Sequence, residues 1–278
     1  MSRYLDPKSD IVFKNIFGKH PQLLKSFLNA LLPLPSDSTI ESIEYLNPEN
    51  VPEIPSLKRT IVDVRCTDQK GRQFIVEMQI EWVPAFMQRM LFNTSTLYVK
   101  QLEKGRNYEK LHHVYGLALL ARNFAPDDSH WMHHYKMTHQ RTQASLDDIQ
   151  LIFVELPKFK PDTTEAKRLA VLWLRFMSEI NENTQTVDPE LLTVSEIKKA
   201  VKLTEESAYS RAELDAYHEY WDAVSTEATL ISGKFKEGLE AGIDLAIHRM
   251  LQAGMNIQDI AATLAVTIER VQENQKLD

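Results

Sequence analysis

Thiol chemistry is nearly absent from this 278-residue chain, whose single cysteine is Cys66. One cysteine excludes an internal disulfide and fits a reducing, cytoplasmic setting. Long apolar runs are missing too. The first thirty residues scatter Arg3, Lys8, Asp10, Lys14, Lys19 and Lys25 among short apolar pairs, unlike a signal peptide. No later stretch approaches the roughly 18 consecutive apolar residues of a membrane span, so a soluble protein with no membrane partner is expected. Excess positive charge is also lacking. A net charge of -7 argues against coating nucleic acid through bulk electrostatics, because phosphate binding rests on Lys and Arg displacing counterions. Between Lys58 and Lys110, however, ten basic residues stand against six acidic ones, a local surplus compatible with a basic cleft on an acidic protein.

What is present reads as a mixed α/β chain followed by helices. From Ser9 to Leu32 apolar residues recur at three- and four-residue intervals, with Gly18 and Pro21 marking a break, which predicts one or two helices. Five prolines between Pro33 and Pro55 make that stretch mainly loop, with room for a short strand at 39–45. The runs 60–66 and 73–80 are rich in β-branched residues and flank Thr67-Asp-Gln-Lys-Gly-Arg72; this is a hairpin. A helix over 85–102 and strands at 114–120 and 151–156 follow. Past Asp162, helical periodicity covers 165–179, 189–201, 211–232 and 234–253, and 247–272 has a helix-turn-helix outline.

The hairpin carries the candidate chemistry. Strand side chains alternate faces, so Asp63 and Arg65 share one face of the first strand, and Glu77, Gln79 and Glu81 one face of the second. A turn centred on Lys70 sets position 63 opposite 77, bringing two carboxylates together with Gln79 one pleat further on. Such a pair repels unless a proton or a divalent metal settles it. Mg²⁺ suits one or two carboxylates supplemented by water and phosphate oxygens, and it activates water for phosphodiester hydrolysis. The competing expectation is the solvated face of an amphipathic hairpin.

The segments SDIVFKNIFG at 9–18, IVDVRCTDQKGRQFIVEMQ at 61–79, QRMLFNTSTLYVKQLEKGRNY at 88–108 and EGLEAGI at 237–243 together resemble the Rpn family of recombination-promoting nucleases and transposase-like proteins, of the PD-(D/E)XK nuclease superfamily. The resemblance spans nearly the whole chain. It implies a restriction-endonuclease-like mixed sheet flanked by helices, a bacterial source, and Mg²⁺-dependent DNA cleavage, with Mn²⁺ as a substitute, linked to recombination or to defence against foreign DNA. It makes Asp63 and Glu77 metal ligands and sets Gln79 where the superfamily has lysine. An amide orients water but adds no positive charge, which implies slower or more metal-dependent cleavage. Asp10 is similar to the family's N-terminal acidic position, a further ligand, with Lys14 one helical turn later.

Gln88 and Arg89, early in the following helix, are candidate DNA contacts together with Lys14. His130, His133, His134 and His139 invite a zinc reading, with His130 and His134 on one helical face, but no cysteine pair or His-Glu-x-x-His motif accompanies them. Cys66, on the apolar face, is expected to be buried. The expected division is a nuclease-like domain at 1–160, a helical packing region at 161–233, and a C-terminal segment at 234–278. The candidate reading helix at its end balances two acids with two bases, a poor surface for a DNA groove, so self-association or regulation is its expected role. An apolar seam of Tyr217, Tyr220, Trp221, Leu230, Phe235 and Leu239 would serve a homo-oligomer. The alternative reading is a non-catalytic DNA-binding or scaffold protein acting through these helices.

Overall fold

The computed structural model describes residues 3–35, 37–46, 64–102, 107–161 and 168–275. They divide into two compact units, Met1–Trp221 and Asp222–Asp278.

In the first unit, α1 (Asp10–Phe13) runs into a π-helical turn (Lys14–Gly18), and α2 (Pro21–Leu31) follows. Ser9 caps α1, its hydroxyl accepting from the Val12 amide, and Pro21 opens α2 where its missing N–H costs nothing. Strands β1 (Ile43–Tyr45), β2 (Val64–Asp68) and β3 (Gln73–Gln79) form an antiparallel meander. Helix α3 (Phe86–Lys100) then crosses over to β4 (Val114–Leu120), which pairs parallel with β3. Strand β5 (Met132–Thr138) and the long β6 (Ser145–Glu155) complete a six-stranded sheet of order β1-β2-β3-β4-β6-β5. This is the mixed sheet flanked by helices that the resemblance implies.

The β2–β3 turn is tightly determined. The Asp68 carboxylate accepts from the amides of Lys70 and Arg72 and pairs with the Arg72 guanidinium at 2.6 Å, while Gly71 takes φ +76°, with His112 against the place a Cβ would occupy. Val64 faces Val76, Arg65 faces Ile75 and Cys66 faces Phe74; each pair is equidistant from Lys70, as the hairpin symmetry predicts. Asp63 lies just outside the described residues, as do 60–62, so the first four residues of the expected strand fall outside them.

Both faces of the sheet are covered. On one, Val64, Cys66, Phe74, Val76, Leu117, Leu119, Ile152 and Val154 meet α1, α2, α4 (Arg168–Glu179) and α5 (Ser195–Leu203) in one core. Trp173 sits within it, its ring near Phe17, Phe27 and Phe176. Cys66 is fully buried there, and burial raises its thiol far above the usual range. On the other face Ile75, Ala118, Leu120, Leu151 and Phe153 pack against Phe86 and Met90 of α3. That approach is close. A Cβ on Gly116 would meet Thr94 Cγ2 at 2.8 Å and Met90 Cε and Leu151 Cδ2 at 3.0 Å. Gly116→Ala must therefore push α3 off β4, and a loss of about 1–3 kcal/mol is expected, read as a lowered urea midpoint at constant slope. An unchanged midpoint would contradict this packing.

Three expectations need correction. The histidine-rich segment is strand β5, not a helix, so His130 and His134 share no helical face. Helical periodicity over 211–232 and 234–253 is one helix, α6 (Arg211–Gln252); a Cβ on Gly233 would meet nothing within 4 Å, and a glycine costs a helix about 1 kcal/mol without breaking it. Tyr217, expected in a partner-facing seam, is instead fully buried in the first unit's own core. Its hydroxyl accepts from the Asp6 amide and donates to Glu182.

The second unit comprises the remainder of α6 with α7 (Ile257–Leu264) and α8 (Ile268–Gln275) around Ile247, Ile260, Ala261 and Val271. Asn256 caps α7, its side-chain oxygen accepting from the Asp259 amide. Gly254 at φ +79° and Ala265 at φ +52° make the two turns. The expected helix-turn-helix outline is therefore present as three short-linked helices.

Candidate active site

Glu77 is the feature that departs most from a solvated hairpin. It lies on the β3 face covered by α3 and is 3% exposed. A carboxylate this deep needs donors, and α3 provides them one helical turn apart. The Asn93 amide donates to Oε1 at 3.1 Å, and the Arg89 guanidinium reaches Oε2 at 3.4 Å. Burial pushes the Glu77 carboxyl above its ordinary range, opposed by the charge of Arg89, the hydrogen bonds from Asn93 and Arg89, and the charge of Arg65.

Gln79 extends the same network. Its Oε1 accepts from Arg89 Nη2 at 2.8 Å and its Nε2 donates to the Glu81 carbonyl at 2.7 Å, so both ends of the amide are fixed. Arg89 is itself steadied by lying over the Phe86 ring, 4.7 Å from its centroid. Glu77, Gln79 and Arg89 are thus brought together. Gln88 is exposed on α3. Asp10 and Lys14 pair with each other at 2.6 Å on the N-terminal segment, whose neighbours Val12 and Phe13 enter the core on the other sheet face. Asp63 lies outside the described residues.

The residue pattern had signalled Arg89 only as a DNA contact and had not singled out Asn93 or Arg65. The available signal was the four-residue interval between Arg89 and Asn93, which sets both on one helical face. Arg65 faces Ile75 across the hairpin, two residues along β3 from Glu77, and therefore shares its face.

The histidines have partners of their own. His133 meets the buried Glu155 carboxylate at 2.7 Å, His134 meets Gln150 at 2.7 Å, and His130 meets Asp128 at 2.6 Å. Among the described residues no group of three or more His, Cys, Asp or Glu side chains is arranged to hold a metal.

A strand-borne Glu-x-Gln beneath a helix, on a parallel β3-α3-β4 unit extended by an antiparallel hairpin, agrees with the comparison to known families. The family described as PD-(D/E)XK nuclease family transposase matches residues 7–232. The chain belongs to this family. No curated protein and no solved structure matched the chain. PD-(D/E)XK nucleases typically use divalent metal ions, and the donor chemistry here fits one in part. A carboxylate offers about four lone-pair positions, of which Asn93 and Arg89 engage two. Glu77 thus retains capacity for a hard cation that keeps most of its water. Membership of the PD-(D/E)XK nuclease family implies DNA as the substrate, and no helix of the described residues is long and apolar enough to cross a membrane.

Proposed function

We propose that the protein is a Mg²⁺-dependent DNA endonuclease, with Mn²⁺ able to replace Mg²⁺, working in the cytoplasm of a bacterium in recombination or in defence against foreign DNA. The observation that carries the reading is the buried Glu77 carboxylate, hydrogen-bonded from α3, in a chain of the PD-(D/E)XK nuclease family.

In this reading Asp63 and Glu77 hold the cation. When bound, it supplies an activated water and charge neutralisation at the phosphate. Asn93 fixes the Glu77 carboxylate through Oε1 and so directs its other lone pairs. Gln79, anchored at both ends of its amide, holds position rather than moving a proton, because an amide neither gains nor loses one near neutral pH. Asp10 is the weaker ligand candidate, since it would have to release Lys14 to serve. Lys14, Gln88 and Arg89 are the proposed DNA contacts. A labelled short duplex incubated with purified protein should be cut with Mg²⁺ and left intact with EDTA; equal products in both would contradict metal dependence.

Self-association through the C-terminal helices belongs to the same proposal. Leu230, Ile231, Phe235, Leu239 and Leu245 are exposed along α6, Phe235 at 73%, and Ile231, Phe235, Gly238, Gly242 and Leu245 alternate four- and three-residue steps, the spacing of a coiled-coil seam. The expected result is an oligomer by light scattering for the wild type and a monomer for the double variant Phe235→Glu, Leu245→Glu. A monomeric wild type would contradict it. The alternative, a non-catalytic DNA-binding or scaffold protein, predicts that residues 235–278 retain DNA binding and that no cleavage occurs.

A further inference from the structure

Among the described residues, positive charge collects around Glu77 beyond what its carboxylate balances. Arg89 reaches it from α3, and Arg65 of β2 shares its face of the hairpin. Among the described residues, two guanidiniums therefore border one carboxylate. Like charges held in a partly buried place are costly without a compensating anion.

The donors point the same way. Among the described residues, the Nε atoms of both Arg65 and Arg89 are buried without a hydrogen-bond partner, although an arginine fork is the donor set best matched to a phosphate. A buried unpaired donor costs about 1–3 kcal/mol, and two beside one candidate catalytic carboxylate mark a place built for an absent acceptor. The strand itself offers only the neutral Gln79 amide at the position where a lysine would bring charge.

We propose that Arg65 and Arg89 form a two-guanidinium cradle that holds the phosphodiester beside Glu77, with Arg89 supplying from the helix the positive charge that the strand lacks. This rests on the nuclease reading and adds to it a source of charge on a different element. Arg89 then has two roles in succession: it balances Glu77 in the resting protein and engages phosphate when DNA arrives.

The test uses the full chain and sodium pyrophosphate as a metal-free probe, titrated by calorimetry in EDTA. Arg65→Ala and Arg89→Ala are each expected to weaken binding about tenfold or more. Glu77→Gln is expected to tighten it severalfold, because it removes the anion that competes for the same guanidiniums; a structural ion pair alone predicts no such gain. Where an alanine variant fails to fold, Arg65→Lys and Arg89→Lys keep the charge without the fork and should weaken binding less. Binding unaffected by these arginine changes, weaker binding by Glu77→Gln, or no binding by either wild type or Glu77→Gln overturns the cradle. Wild-type protein that binds pyrophosphate in the expected pattern yet cuts no DNA refutes the nuclease reading and leaves the cradle standing. Cleavage at the wild-type rate by both arginine variants does the reverse.

Discussion

Glutamine in place of Glu77 should lower DNA cleavage by about a thousandfold or more, which is roughly 4 kcal/mol of transition-state stabilisation, while the protein stays folded. The substitution preserves the volume of a side chain buried under α3 and keeps an oxygen to accept the Asn93 hydrogen bond. It removes the charge and turns the acceptor that faces Arg89 into an amide donor. A purely structural role for Glu77 predicts the opposite balance: a clear fall in thermal stability, since Arg89 loses its counter-charge, with little specific loss of rate. Asn93→Ala separates the two further. It leaves the carboxylate in place but frees it to rotate, and the loss of such an orienting partner typically costs about 10–100-fold in metal affinity or activity. The check is a pair of measurements on each variant, cleavage rate with Mg²⁺ and thermal midpoint. Full activity in Glu77→Gln would remove this residue from the chemistry.

The second large effect concerns stability. Glu155 ends β6 with its side chain fully buried, and it gathers four donors: the Phe124 and Ala125 amides, His133 Nε2 at 2.7 Å and Lys158 Nζ at 2.6 Å. Lys158 also donates to the Ala125 carbonyl, so one carboxylate ties the loop after β4 to β5 and to the end of β6. Glu155→Ala strands these donors, and removing one partner of a buried ion pair costs about 3–5 kcal/mol. Burial pushes the Glu155 carboxyl up, but the hydrogen bonds from Lys158, His133 and the two amides outweigh it and hold the group below its ordinary value. The stabilisation is accordingly present above the unfolded value of about 4.3 and disappears as pH falls through the lower folded value. Chemical denaturation at pH 7 and again near pH 3 should show the wild type losing much of its advantage over Glu155→Ala. A constant gap between the two proteins would contradict the ion-pair account.

The hairpin was legible because its signals are local. β-Branched runs on either side of an Asp-Gln-Lys-Gly turn fix both the strands and their register, and the alternation of Phe74, Val76 and Met78 with Ile75, Glu77 and Gln79 separates the faces. Strand β4, apolar throughout, announced its central place. Strand β5 did not, because Met132–Thr138 lies at the sheet edge with most of its side chains exposed, so no buried face imposes a period-two pattern. Its histidines instead drew notice as a cluster, though each is paired with a different residue.

Within the candidate site, residue types and strand alternation pointed to Glu77 and Gln79, but not to the burial of Glu77. That burial depends on where α3 lands after its crossover, which the close approach at Gly116 sets. No pattern within either segment reports this. For the same reason Asn93 looked like an ordinary helix residue until tertiary packing set it against the carboxylate, whereas Arg65 was legible on the carboxylate's face but read as solvated.

The hairpin centred on Lys70 is the proposed source of cleavage. The most direct measurement is the conversion of supercoiled plasmid to nicked and linear forms in Mg²⁺ by wild-type protein and by Asp63→Ala, purified in parallel, with wild type in EDTA beside them. Conversion by the wild type alone, lost in EDTA and in Asp63→Ala, is the predicted result. Equal conversion by wild type and Asp63→Ala would locate the activity elsewhere, and no conversion by either would contradict the assignment of nuclease activity to this site.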